Sequence, residues 1–228
     1  MVKKAFFFDL DDTLYDQLQP FKEAVICSYS TIEELPFEKI FKRSREYSDI
    51  LWDQYCSNKV SLEELRVKRL VLAFEDFKYK LEPKQAMEIQ ERYEERQNKI
   101  KLSKGVISCL TSLKEKGFLV GIITNGPVEH QMKKIINLQL DAFVSKELIF
   151  ISDGVGIAKP DPRIFLHVNN RIGIKPENCY YAGDSWRNDV VPSLNAGWNS
   201  VWYNFRCRKP ETTDIPYKVI YSYHELDM

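Results

Sequence analysis

Residues 6–16 read FFFDLDDTLYD, three phenylalanines running directly into Asp9, Asp11, Asp12 and Asp16. The apolar run Ala5–Leu10 has the length and the polar boundary of a buried strand. A carboxylate at the mouth of such a strand loses water, and a second one nearby repels it. Both effects raise its pKa or call for a cation. Either the stretch is an ordinary acidic loop, or the rest of the chain supplies positive charge.

Outward from it, the texture changes twice. Between Pro20 and Lys101 there is no glycine and almost nothing strand-like. Charged segments instead carry helical spacing, as at Leu62, Leu65, Arg66, Arg69 and Leu70, and at Met87, Ile89, Tyr93 and Arg96. After Lys104-Gly105 the pattern alternates. Helices are expected over Val106–Lys116, Val128–Leu138, Asp161–Ile172 and Asn188–Ala196. Strands are expected over Phe118–Ile123, Leu148–Ser152, Asn178–Ala182 and Ser200–Tyr203, with a further one at Tyr217–Ile220. Alternating strands and helices predict a parallel α/β sheet covered on both faces. Ala5–Leu10 joins that sheet, so the expected organisation is a core of residues 1–16 and 102–228 with an all-helical module, 17–101, inserted after the first strand.

Ligands of an open parallel sheet sit outside the carboxyl ends of its strands. Those ends read DLDDT (9–13), TNGP (124–127), KPDP (159–162, after a loop) and GDSWRND (183–189). Carboxylates, a hydroxyl and a lysine thus share one edge. Carboxylates with open positions suit a hard cation such as Mg²⁺, and a carboxylate can be a nucleophile that forms an aspartyl-phosphate. Asp9 and Asp11, two apart, face the same side of an extended strand. Thr124 and nearby backbone N–H groups can hold phosphate oxygens. Phosphoryl transfer requires little beyond positioning and charge stabilisation. An EF-hand loop is excluded, since Leu14 stands where its sharp turn needs glycine.

DLDDT, IITNG, KPDPRIF and GDSWRND resemble, in order, the four motifs of the haloacid dehalogenase superfamily. The resemblance implies a Rossmann-like core with a helical cap inserted after the first motif. It also implies roles. Asp9 would be the nucleophile and touch Mg²⁺, and Asp11 would be the general acid/base, with its backbone carbonyl on the metal. Thr124 and Asn125 would bind phosphate, and Lys159 would bridge nucleophile and phosphate. Asp184 would hold the metal directly. Asp189 would do so through water or from a second layer, or would simply favour its helix N-terminus. The superfamily's dehalogenases lack the second aspartate, so Asp11 points to phosphate rather than halide.

The expected activity is hydrolysis of a small phosphate monoester. The cap segments LWDQY (51–55) and VSLEELR (60–66) and the ending YHEL (223–226) are similar to the branch containing pyrimidine 5′-nucleotidases, which points to a nucleoside 5′-monophosphate. Trp52, Tyr55 and Trp186 could stack on a base, or Trp52 and Tyr55 could pack within the cap. A sugar phosphate or phosphoglycolate phosphatase and a sugar phosphomutase share the motifs. A phospho-aspartate signalling domain or an inactive binding protein is the non-enzymatic alternative.

The bulk numbers agree with an enzyme of small molecules. With 33 basic and 33 acidic residues, the net charge gives no electrostatic case for a nucleic-acid polymer. Five scattered cysteines without a CxxC, and three histidines outside the motifs, argue against a zinc ribbon or a disulfide framework. Cys27 and Cys109 fall on apolar helical positions and are expected in the core. No run approaches a membrane span, and Ala5–Phe8 is too short for a signal-peptide core. A reduced, cytoplasmic protein is expected, and the sequence carries no reading of oligomeric state.

Overall fold

The computed structural model describes residues 3–28 and 35–228. Met1, Val2 and residues 29–34 of the expected helical block lie outside the described residues. The chain divides into two compact units, Met1–Asp16 with Ile100–Met228, and Gln17–Lys99.

The first unit is built on a six-stranded sheet: β1 (Ala5–Phe8), β2 (Leu119–Thr124), β3 (Ile149–Ile151), β4 (Cys179–Gly183), β5 (Asn199–Tyr203) and β6 (Lys218–Ile220). Its order is β3-β2-β1-β4-β5-β6, and every neighbouring pair is parallel. Parallel strands buried on both faces are continuously apolar, as AFFF in β1 and LVGIIT in β2 are. Alternation sends Phe6 and Phe8 to one face, among Leu110, Val120 and Tyr180, and Phe7 to the other, among Phe165, Tyr181 and Trp198. Register leaves no slack: a β-carbon on Gly121 would stand 2.0 Å from the Phe7 ring.

The helices flanking the sheet are α5 (Val106–Glu115), α6 (Val128–Asn137), the short α7 (Ser152–Val155), α8 (Arg163–Ile172) and α9 (Val191–Asn195). Two open differently from the sequence pattern. At Asp161 the carboxylate accepts the Arg163 backbone N–H at 2.9 Å, so the helix opens at Arg163. The helix expected from Asn188 is instead a π-helical turn, Trp186–Val190, running into α9. Its cause is local: the N–H groups of both Asp189 and Val190 bond to the Ser185 carbonyl, at 2.9 and 3.2 Å.

The second unit holds α1 (Leu18–Ser28), α2 (Phe37–Cys56), α3 (Leu62–Glu75) and α4 (Pro83–Gln97). Helix α3 opens with a capping box, Ser61 and Glu64 bonding reciprocally, and α4 has Pro83 in its first turn. Their apolar faces meet at Phe21, Phe41, Leu70, Phe74, Ile89 and Tyr93. Cys27 does not join this core as its position predicts: it is exposed, whereas Cys109 is buried. On α1 the core-facing stripe runs through Phe21, Ala24 and Val25, which leaves Cys27 off it. Trp52 and Tyr55 lie against one another, with ring centroids 5.1 Å apart. All five cysteines are free. Among the described residues no helix is long and apolar enough to cross a membrane.

Candidate active site

Strand order reverses at β1, with β2 on one side and β4 on the other. In a doubly wound sheet this is where the carboxyl-end crevice opens. Asp9 follows β1, and its backbone N–H is still in the sheet, bonded to the Ala182 carbonyl at 2.8 Å. Beyond it the chain turns. Asp12 takes a left-handed conformation, φ 56°, which aspartate tolerates better than most residues. Strand β1 ends at Phe8, so Asp9 and Asp11 both stand in the turn beyond it, and their carboxylates have different partners.

Lys159 joins the strand ends. Its ammonium donates to Asp9 Oδ1 at 2.7 Å, to Asp189 Oδ1 at 2.5 Å and to the Tyr181 hydroxyl at 2.7 Å. An ammonium has three N–H donors, and all three are used. Tyr181, from β4, passes its own proton toward the Ile123 carbonyl at 2.9 Å. Asp9, Lys159 and Asp189 are all buried. Burial, with Asp189 and Asp11 close by, pushes Asp9 up to about 7 against the pull of Lys159. Burial works against the charge of Lys159 as well, but Asp189 and Asp9 outweigh it and hold the ammonium above the ordinary lysine range.

Asp189 is a buried acid in the first turn of its helix. Its Oδ2 accepts the Ser185 N–H at 2.9 Å, and Gly183 leaves room for its carboxyl group, which a β-carbon there would meet at 2.3 Å. Asp184 is raised well above the usual carboxylate range by burial, then by Asp12 and Asp189, with Arg208 opposing. Arg208 donates to Asp184 at 2.9 Å, and Arg206 spans Asp12 and Asp16 at 3.0 and 2.6 Å. Thr13 ties the two ends, donating to Asp9 at 3.3 Å and accepting the Asp184 N–H at 3.2 Å.

Oxygens of Asp9, Asp184 and Asp189 lie within 4.8 Å of one another. An all-carboxylate set in which burial and mutual repulsion disfavour charge suits a hard divalent cation. The donor chemistry therefore fits Mg²⁺.

On the other side of β1, Asp11 meets α6. Lys134 donates to both its oxygens, at 2.7 and 2.9 Å, Gln131 donates to Oδ2 at 3.0 Å, and the Tyr15 hydroxyl donates to Oδ1 at 2.5 Å. Gln131 also donates to Thr124 Oγ1 at 2.6 Å. Asn125 turns its amide to the backbone of Lys159, donating to the carbonyl at 2.7 Å and accepting the N–H at 3.0 Å. It thereby fixes the segment that carries the lysine. Trp186 packs against Trp202, with centroids 4.7 Å apart, and donates to Thr212; it is buried, with no open face for a base.

Residues 3–197 match the family model described as haloacid dehalogenase-like hydrolase. The chain belongs to this hydrolase family. Its membership sets aside the phospho-aspartate signalling domain. The glyceraldehyde 3-phosphate phosphatase of Pyrococcus furiosus is 30% identical, over 96% of this chain and 88% of that protein. The pyrimidine 5′-nucleotidase PynA of Streptococcus pneumoniae is 26% identical, over 99% and 94%. The fold resembles that of the HAD-hydrolase YfnB of Bacillus subtilis, whose structure was solved with magnesium bound. It has a TM-score of 0.72 and 22% identity, and the match covers 99% of this chain and 97% of that one.

Sequence reasoning did not single out Lys134, Gln131, Tyr181, Arg206 or Arg208. The helical pair reads as part of an amphipathic helix, Tyr181 reads as one more apolar strand residue, and the arginines sit in a loop without a motif. No local signal distinguishes them; only the fold brings them to the aspartates.

Proposed function

We propose that this HAD-type phosphatase hydrolyses the phosphate monoester of a small metabolite through an aspartyl-phosphate formed on Asp9. The observation that carries the reading is the contact of Asp9 Oδ1 with Lys159 Nζ at 2.7 Å, with Asp189 on the same ammonium. A buried carboxylate is thus oriented beside a fixed positive charge before any substrate arrives, which is how positioning and electrostatic preorganisation lower a phosphoryl-transfer barrier.

In this reading Asp9 attacks phosphorus, Lys159 offsets the charge on nucleophile and phosphoryl group, and Thr124 donates its hydroxyl proton to a phosphoryl oxygen. Gln131 supports that last role by donating to Thr124 Oγ1, so the hydroxyl proton points elsewhere. Asn125 contributes by holding the Lys159 backbone. Asp11 gives a proton to the leaving oxygen and then takes one from the water that cleaves the acyl phosphate. Asp9, Asp184 and the Asp11 carbonyl would hold Mg²⁺, which supplies further charge neutralisation at the phosphoryl oxygens. Asp189, whose oxygens accept from Lys159 and the Ser185 N–H, would face it through water.

For the substrate, the near full-length similarity to a glyceraldehyde 3-phosphate phosphatase favours a short phosphorylated metabolite. A nucleoside 5′-monophosphate is the second reading, favoured by the similarity to PynA. The burial of Trp186 removes one of the rings that sequence offered for stacking on a base. Release of inorganic phosphate from glyceraldehyde 3-phosphate, phosphoserine, phosphoglycolate, uridine and thymidine 5′-monophosphates and a hexose phosphate, with Mg²⁺ and with EDTA, tests this. Mg²⁺-dependent release concentrated in one class is expected. Conversion of the hexose phosphate to its isomer without phosphate release would favour a mutase, and no release from any compound would overturn the reading.

A further inference from the structure

Helix α6 brings Gln131 and Lys134, one turn apart and so on one face, against Asp11 and Thr124. The Lys134 ammonium is buried, 5% exposed, and straddles both oxygens of Asp11 at 2.7 and 2.9 Å. The Gln131 amide carries two hydrogens on one nitrogen. It donates to Asp11 Oδ2 at 3.0 Å and to Thr124 Oγ1 at 2.6 Å. One side chain therefore sets the distance between the group that handles the proton and the group that holds the phosphate.

Stability alone is a poor reason for this arrangement. Taking an ammonium and a carboxylate out of water costs about as much as their attraction returns, and an apolar pair of similar volume is often as stable. A buried lysine on a helix that could have presented a leucine is better explained by what it does to Asp11. A carboxylate gripped at both oxygens cannot rotate about its Cβ–Cγ bond, so the oxygen that serves the leaving group keeps one direction.

We propose that Lys134 and Gln131 are positioning residues of the acid/base step: they aim Asp11 at the leaving oxygen and tie it to the phosphate-holding Thr124. The inference rests on the phosphatase reading and deepens it. It assigns α6 the proton-handling half of the reaction, while Lys159 serves the nucleophile. The step itself is ordinary. The O–P bond to the leaving group breaks as the Asp9 O–P bond forms; the protonated form of Asp11 gives its proton to the leaving oxygen, and the Lys134 ammonium pairs with the carboxylate that remains.

The consequence is selective. A misaimed acid hurts esters whose leaving group needs the proton and spares those whose leaving group does not. The test compares kcat/KM, which reports the first half-reaction, for p-nitrophenyl phosphate and unsubstituted phenyl phosphate, with Mg²⁺ present. Lys134→Met and Gln131→Leu should each lower the phenyl phosphate value by about 10- to 100-fold and the p-nitrophenyl value by only a few-fold. Lys134→Arg should restore most of the difference, and in an Asp11→Asn background Lys134→Met should have little further effect. A folding defect would depress both esters alike, and a melting curve on each variant identifies it. If Lys134→Met lowers both esters equally while still melting like the parent protein, the positioning role is overturned. If the parent hydrolyses neither ester, the phosphatase reading itself falls and this inference with it.

Discussion

Gly183 and Asp189 pack so closely that a β-carbon on residue 183 would stand 2.3 Å from the Asp189 carboxyl carbon. The glycine that ends β4 is therefore what lets Asp189 reach back over the strand to Lys159 and the Ser185 N–H. Gly183→Ala must push the carboxylate aside, and overpacking of this kind costs about 1–3 kcal/mol. The site should suffer more than the fold. Calorimetric titration is expected to show Mg²⁺ affinity reduced by about 10- to 100-fold, the range for disturbed partners of metal ligands, with the circular dichroism spectrum retained. Unchanged affinity would mean that Asp189 has no part in holding the metal.

Lys159→Met removes a cation shared by Asp9 and Asp189. Breaking a buried pair leaves uncompensated charge, at a cost of about 3–5 kcal/mol, so the metal-free variant should melt well below the parent. Mg²⁺ should recover part of that loss, because it supplies the missing charge to the same carboxylates. Turnover should fall by about 10²- to 10³-fold, as for loss of one preorganised stabilising donor. Steady-state kinetics together with melting curves, with and without Mg²⁺, separate the two effects. Retention of near-normal turnover would remove Lys159 from the mechanism.

The raised carboxyls give stability a pH dependence of known sign. Asp9 is pushed up to about 7 from an ordinary 3.8, chiefly by burial, and Asp184 is raised for the same first reason. Such a group binds protons more tightly in the fold than in the unfolded chain. Its contribution is therefore complete below the unfolded value and lost as pH rises through the folded one. Between about pH 4 and 7 the metal-free protein should lose stability through Asp9. A cation that replaces the proton returns it. At one fixed Mg²⁺ concentration, the rise in Tm should be clearly larger at pH 8 than at pH 5. A rise as large at pH 5 would contradict the assignment of these carboxylates to a metal site.

Sequence carried the fold class and the chemistry of the strand ends because both are local. AFFF reads as a buried strand from its own composition, and the motifs declare themselves within a few residues. What it lacked was geometry created over long separations. Lys134 reaches Asp11 across 123 residues, and nothing near Lys134 separates it from a surface lysine on an amphipathic helix. Tyr181 is hidden for the opposite reason: in CYYAG its ring satisfies the strand pattern and its hydroxyl leaves no trace there. Cys27 shows the limit of apolar spacing, since it lies off the Phe21, Ala24 and Val25 stripe and is exposed. The π-helical turn at Trp186–Val190 was likewise invisible, because the bonding of both the Asp189 and Val190 N–H groups to the Ser185 carbonyl leaves no mark in the apolar pattern.

The decisive question is whether Asp9 carries the phosphoryl group. Rapid acid quench of Asp11→Asn during turnover of p-nitrophenyl phosphate with Mg²⁺, followed by peptide mass mapping, reads this directly. One phosphoryl group on the peptide containing Asp9, absent when Asp9→Asn is added and discharged by hydroxylamine, is the predicted result. A phosphoryl group on any other residue, or undiminished turnover by a folded Asp9→Asn variant, would contradict it.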